Sequence, residues 1–286
     1  ISLQEDIASK AMAFTYFDEQ WFVVLQSAGD SRWIRLYQRV GRGLERRQTI
    51  FLDGEADFDL LSVKGVHYLA VVTFRTSPYQ SVLTLYHWTR TQFDKFATRA
   101  VLNARSVSCW EMDGNLYVAV AQEISEEGDF KVGSPIFLYS TRDDDGLKLL
   151  QMIDTYGPIK VKHFYASGSH YVIFFGRVNA TIYWWSNDQF LLWQIIGRTS
   201  FASDASVLAL TNGEVMIVIT FQEEALFFAL DGSGHYILTF AMTLSGDLAS
   251  LQFMYSGKSY YALARFEDSR PQSVWKLILD SFSMRK

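Results

Sequence analysis

The sequence has little cysteine, little proline and no long apolar run. With a single cysteine, Cys109, in 286 residues, an internal disulfide is excluded. Set between Ser108 and Trp110 in a strand-like run, Cys109 reads as a buried, inert thiol. Only four prolines occur, and no Ser/Gly/Pro-rich or highly charged stretch offers a linker, so residues 1–286 read as one folded unit. The longest apolar runs, such as ALFFAL at 225–230, are far too short for a helix that crosses a bilayer. The opening ISLQEDIASK carries two acids and no apolar centre, so it does not read as a secretory leader. Positive charge is also in short supply. Lys and Arg number 26 against 31 Asp and Glu, a net charge of −5, which argues against a nucleic-acid groove.

Familiar reaction motifs are missing too. The chain has no G-x-S-x-G elbow, no H-E-x-x-H and no P-loop, and VGRGLERR at 40–47 reads as a hairpin turn rather than a nucleotide loop. Five histidines are scattered, with His67 and His163 expected as hydrogen-bonded sheet residues. Asp143, Asp144 and Asp145 before Gly146 read as a solvated turn rather than a calcium loop, because adjacent side chains point apart.

What the sequence does have is repetition, in a chain that is 49% apolar and 16% aromatic. A turn dipeptide followed by a β-rich run recurs as DEQWFVVLQ, KGVHYLAVVTF, DGNLYVAVAQ, SGSHYVIFFGR, NGEVMIVITF and SGKSYYALARF. Each is followed by a second aromatic run, such as SVLTLYHW or ATIYWW, and most by a third, such as LKLLQMI or FLLWQII. A further run precedes each turn, so one cycle is four short strands, a to d. The period of roughly 40–50 residues is that of propeller blades.

These features predict an all-β fold: a single β-propeller of four-stranded blades, six in number, with seven as the alternative. The repeats run approximately over 11–57, 58–105, 106–159, 160–202, 203–247 and 248–286 plus 1–10. The last copy lacks a clear strand d. ISLQEDIAS at the start has the apolar–Gln–x–x–Ile look of one, so the N-terminal strand is expected to close the ring.

The order within a copy is carried best by DGNLYVAVA…SPIFLYS…LKLLQMI and SGSHYVIFFGRVNATIYWWSNDQFLLWQII. It resembles the epilepsy-associated, or epitempin, repeat (EAR/EPTP) of the leucine-rich glioma-inactivated proteins and related extracellular receptors. The resemblance covers nearly the whole chain, and its motif consists of core-forming residues. Family members are seven-bladed propellers. The likeness implies extracellular protein–protein recognition without catalysis. It also implies aspartates at the start of strand a that hold calcium in a central channel. The equivalent positions are Asp57, Ser106 and Lys160 in copies two to four. Asp57 and Asp59 fit as metal ligands, but Lys160 and Lys162 bring positive charge to the same funnel, so a channel calcium is not favoured and no cofactor is expected. Kelch repeats are excluded by the missing Gly-Gly doublet, WD repeats by the missing Trp-Asp dipeptide and sialidase-type repeats by the missing Asp-box, and the YWTD order does not fit.

The sequence-based reading of function is therefore a secreted or cell-surface, non-enzymatic module that binds an extracellular protein or receptor through a propeller face. NAT at 179–181 makes Asn179 a glycosylation acceptor on a b–c tip, which favours an extracellular location. The b–c connections vary most. QEISEEGDFKVG at 122–133 offers Glu123, Glu126, Glu127 and Asp129 to a basic partner, and RTSPYQS at 75–81 offers Arg75 and Tyr79. One alternative is a propeller enzyme of glycosidase or lactonase type, disfavoured by small inner-strand groups at Ala11, Ser106, Ala205 and Ala249. Another is a self-associating component of an extracellular coat.

Overall fold

The computed structural model describes residues 9–17, 20–27, 32–74, 80–140, 146–197, 202, 204–210, 214–221, 223–243, 247–255, 258–267 and 270–278. Sheet one holds β1 (Ser9–Phe17), β2 (Gln20–Ser27), β3 (Trp33–Val40) and β4 (Gly43–Phe51). Sheet two holds β5 (Glu55–Val63), β6 (Val66–Phe74), β7 (Gln80–Trp88) and β8 (Phe93–Leu102). Sheet three holds β9 (Ala104–Met112), β10 (Asn115–Gln122), β11 (Lys131–Tyr139) and β12 (Leu147–Tyr156). Sheet four holds β13 (Lys160–Ala166), β14 (Ser169–Phe175), β15 (Asn179–Ser186) and β16 (Gln189–Gly197). Sheet five holds β17 (Asp204–Ala209), β18 (Val215–Thr220), β19 (Glu224–Leu230) and β20 (Tyr236–Thr243). β21 (Asp247–Tyr255), β22 (Lys258–Glu267) and β23 (Arg270–Ile278) form a three-stranded sheet. Each sheet is an antiparallel meander in chain order. The fold is all-β and propeller-like.

Short turns make the meanders. Lys64–Gly65, Asp113–Gly114 and Ser167–Gly168 join first to second strands with φ of 49° and 79°, 54° and 75°, and 50° and 80°. Two consecutive positive φ values match the twist of the strands they join, which is why a glycine fills the second place.

The chain divides into two compact units, residues 1–161 and 162–286, with the division inside β13. In the first unit, β6 feeds two cores at once. Leu69 and Val71 pack with Phe22, Val24, Ile34 and Leu36 of sheet one. Tyr68, Ala70 and Val72 pack with Val107, Cys109, Leu116 and Val118 of sheet three. Both faces of sheet two are covered, so its strands read as continuous apolar runs with no clean alternation. In the second unit, Phe164, Ile173, Phe175 and Ile182 pack against Ala205, Ile217, Ile219 and Leu226 in the same face-to-face way. Burial falls toward the outer strands, where Leu149, Met152, Leu192, Ile195, Ile237 and Leu238 are exposed.

A bulge marks the outermost strand of every four-stranded sheet. The register slips by one residue, leaving Arg47, Phe96, Leu150, Trp193 and Thr239 unpaired in β4, β8, β12, β16 and β20. The next residue is Gln in three of these sheets: Gln48, Gln151 and Gln194. The Gln48 amide donates to Phe93 O at 2.9 Å and accepts from Phe93 N at 2.8 Å. Gln194 does the same to Tyr236, with both bonds at 2.8 Å. Gln48 and Gln194 thus each clamp the first residue of the outermost strand one sheet further on. A primary amide suits this role because it carries a donor and an acceptor side by side.

Candidate functional site

Asp57 and Asp59 stand two residues apart on β5, so both side chains leave the same face of the strand. Asp57 Oδ2 accepts from Ser106 Oγ at 2.7 Å and from Val107 N at 3.1 Å. Asp59 Oδ2 accepts from Ser108 Oγ at 3.2 Å and Cys109 N at 2.9 Å, while Oδ1 takes Leu60 N at 3.0 Å. The ladder continues one step, because Val161 N donates to Ser106 Oγ at 3.3 Å. These acids stitch the first strands of sheets two and three together, where no backbone ladder joins the sheets. Among the described residues, no group of three or more His, Cys, Asp or Glu side chains converges as a metal site.

The acidic b–c loop divides. Glu123 is corrected from the surface group expected: its side chain turns inward, buried, and pairs with Arg105. The Arg105 guanidinium also lies 3.9 Å over the Phe74 ring. Glu126, Glu127 and Asp129 are exposed on a closed turn, in which Ser125 N donates to Asp129 O at 2.8 Å. Arg75 and Tyr79 lie outside the described residues. Asn179 opens β15, half-buried, and its amide oxygen accepts from Thr181 Oγ1 at 3.3 Å. Of the described candidates, Glu126, Glu127 and Asp129 share one turn, while Glu123 is drawn into the ion pair with Arg105.

One concave surface among the described residues is an aromatic cleft in the first unit, of about 400 Å³, lined by Val66, Tyr68, His87, Phe96, Ala97, Tyr139 and Gly146. Its position follows from the fold. Tyr68 and His87 are cross-strand partners on β6 and β7. Phe96 is the bulge residue of β8, and the bulge turns it toward Tyr139 at the end of β11. Phe96 meets Tyr139 at 5.0 Å, His87 at 5.3 Å and Tyr68 at 5.8 Å between ring centroids, all tilted or edge-on. Gly146, at φ +74°, keeps the far wall free of a side chain. Among the described residues, the Tyr68 and Tyr139 hydroxyls and the His87 ring nitrogens have no hydrogen-bond partner. Burial, aided by Tyr139, raises the Tyr68 pKa above its usual value, so its phenol stays a neutral donor. Flat ring faces beside unengaged polar groups can hold a small molecule that is apolar on one face and hydroxylated at its rim.

The sequence-based search missed all four cleft residues, because each alone looks like a core aromatic. The available signal was the residue just before the glutamine position, aromatic in the second and fourth repeats (Phe96 and Trp193).

No family model and no curated protein matches the chain. Solved structures do. A protein of unknown function from Dyadobacter fermentans is 11% identical and has a TM-score of 0.65, with 95% of this chain and 94% of that one covered. The SapL1 lectin in complex with alpha methyl fucoside is 12% identical, TM-score 0.59, covering 93% and 95%. An exo-β-1,3-galactanase from Phanerochaete chrysosporium with galactose is 9% identical, TM-score 0.53, covering 90% and 80%. At these identities the likeness is one of fold.

These findings overturn the expectation of a non-enzymatic module that binds another protein. The compared proteins of stated activity are carbohydrate-active, and the surface assigned to a protein partner loses Glu123 to a buried ion pair. The compensating feature is the aromatic cleft, which the sequence reading did not contain.

His163 and His170 form a separate pair. Their rings stack at 5.2 Å, with His163 Nε2 and His170 Nδ1 at 2.9 Å. Burial first, and His170 second, lower the His163 pKa to about 3, so it stays neutral at physiological pH. It is a hydrogen-bonded sheet residue, as the sequence suggested, and so is His67, which pairs with Ser62.

Proposed function

We propose that this protein is a carbohydrate-active propeller of glycosidase type, which holds sugar in the cleft of Tyr68, His87, Phe96 and Tyr139. The observation that carries the reading is the cleft itself. A pyranose has an apolar C–H face that stacks on aromatic rings and a rim of hydroxyls for phenol and imidazole groups. The fold shared with a galactanase and a fucoside-bound lectin supports it by analogy. Hydrolysis needs a pair of carboxylates about 5–9.5 Å apart. Asp57 and Asp59, alternate residues of one strand, have that order of spacing, at about 6.6 Å by strand rise, although neither is among the residues that line the cleft.

A second reading, sugar binding without hydrolysis, is favoured by one observation: Asp57, Asp59 and Glu123 all commit oxygens to protein donors. We also infer that the six sheets are six blades of one closed ring. The last sheet has three strands among the described residues, which leaves room for the N-terminal segment as a fourth; residues 1–8 and 279–286 lie outside those described.

The test is calorimetric titration with methyl α-fucoside, xylotriose and β-1,3-galactotriose, followed by chromatography of the incubated sugars. Binding that is lost in Tyr139→Ala, with cleavage lost in Asp57→Asn, supports the glycosidase reading. Binding with intact sugar supports the second. No binding of any of the three refutes both.

A further inference from the structure

The register of the outer strands repeats the cleft's positions in the second unit. Tyr171 on β14 pairs with Trp184 on β15, as Tyr68 pairs with His87. Trp193 is the bulge residue of β16, as Phe96 is of β8. Leu230 ends β19 opposite Tyr236, as Tyr139 ends β11 opposite Leu147. The residue just before that partner is Gly146 in the first unit and His235 in the second. Position by position, an aromatic or imidazole group stands at each site except one leucine.

The rings come together there. Trp184 and Trp193 lie 5.2 Å apart at 51°, and Tyr171 meets Trp193 edge-on at 6.4 Å. His235 lies flat over Trp193, 5.9 Å between centroids at 15°. Its place is built. Asp231 Oδ1 accepts from Ser233 N at 2.8 Å and His235 N at 3.0 Å, and Ser233 Oγ contacts His235 Nδ1 at 3.0 Å. With Nδ1 occupied, His235 is exposed, and its Nε2 has no partner among the described residues. Among the described residues, the Trp184 and Trp193 indole N–H groups and the Tyr171 hydroxyl have no hydrogen-bond partner either, and all three side chains are half-buried.

We propose that Trp184, Trp193 and His235 form a second carbohydrate site, quasi-equivalent to the cleft of the first unit. This rests on the reading of that cleft as a sugar site. The two differ in one respect: His235 fills space that Gly146 leaves open. The second site is therefore shallower, with the sugar face carried by Trp184 and the outer side of His235, and His235 Nε2 bonding a ring hydroxyl. One chain then holds two sugars, each in its own unit.

Equilibrium dialysis of the three sugars named above, combined with tryptophan fluorescence, decides between one site and two. The wild type is expected to bind two equivalents of whichever sugar it takes. Phe96→Ala with Tyr139→Ala leaves one equivalent, which still changes tryptophan emission, because the remaining site contains Trp184 and Trp193. His235→Gly, which restores the residue type of the open cleft and leaves the core untouched, changes affinity for one of the two equivalents by severalfold. Trp184→Leu removes that equivalent, with the unfolding midpoint as the check on folding. One equivalent, lost in Phe96→Ala with Tyr139→Ala and unaffected by His235→Gly and Trp184→Leu, overturns the second site and leaves the first standing. One equivalent that behaves the opposite way overturns the first cleft instead. No binding by the wild type overturns both.

Discussion

Replacing Gln194 by methionine keeps the length of the side chain and removes both of its hydrogen bonds to Tyr236. Tyr236 N and O then lose their partners at 2.8 Å, at the start of a strand whose side chain is 4% exposed. A hydrogen bond contributes about 0.5–1.5 kcal/mol net, and leaving a buried polar group unsatisfied costs about 1–3 kcal/mol. Two bonds at the outer edge of a sheet, where water reaches one side, place the loss at about 2 kcal/mol. For a chain of this size that lowers the thermal midpoint by about 3 °C. The assay is urea and thermal unfolding of the wild type, Gln194→Met and Gln194→Ala, with amide exchange read at Tyr236. Methionine and alanine variants should lose similar amounts, and the Tyr236 amide should exchange faster in both. The same change at Gln48 should act independently, since the two clamps share no partner. If Gln194→Met keeps its stability and the Tyr236 amide stays protected, the clamp does not hold the strands together.

Asp59→Ala should cost about 2–3 kcal/mol, because it strips the acceptor from the Cys109 N–H and the Ser108 hydroxyl; Asp59→Asn should recover much of it, measured by urea unfolding. His163 titrates near pH 3 in the fold against about 6.5 unfolded, so below pH 6.5 the unfolded chain binds a proton that the native state refuses. Stability should fall as pH drops from 7 to 5, at up to about 1.4 kcal/mol per unit, and His163→Leu should flatten that slope in a pH series of melts. The Tyr236 hydroxyl is buried without a protein partner, and burial raises its pKa, so Tyr236→Phe should leave the thermal midpoint unchanged or raise it. Deleting residues 1–7 should lower the midpoint and promote aggregation if they complete the last sheet; an unchanged melt would rule that closure out.

Much of the fold was legible in the sequence because its signals are local. Lys64–Gly65 and Asp113–Gly114 announce turns, and the runs between them have strand length. The Gln-x-Ile signature was visible as well, but its meaning was not. Gln48 acts on Phe93, 45 residues away, and no local pattern encodes that pairing. The bulges were invisible for a related reason. One extra residue in β8 or β16 changes which way Phe96 or Trp193 points without changing composition. The cleft draws Tyr68, His87, Phe96 and Tyr139 from four strands of two sheets, so it exists only after sheets two and three pack. The acidic loop was conspicuous because charge is easy to see. Its first acid, Glu123, is spoken for by Arg105, a pairing that depends on β9 lying beside the end of β10.

The clamps also set an order in time. Gln48 leaves the ribosome 45 residues before Phe93, and Gln194 leaves 42 residues before Tyr236. At synthesis speeds of about 5–20 residues per second, each outer strand therefore waits roughly 2–9 s with its latch open. At these two junctions the later sheet locks its predecessor: sheet two locks sheet one, and sheet five locks sheet four. Stalling within a repeat leaves one loose outer strand rather than a loose molecule, and pause sites between repeats would be tolerated better than pauses within them.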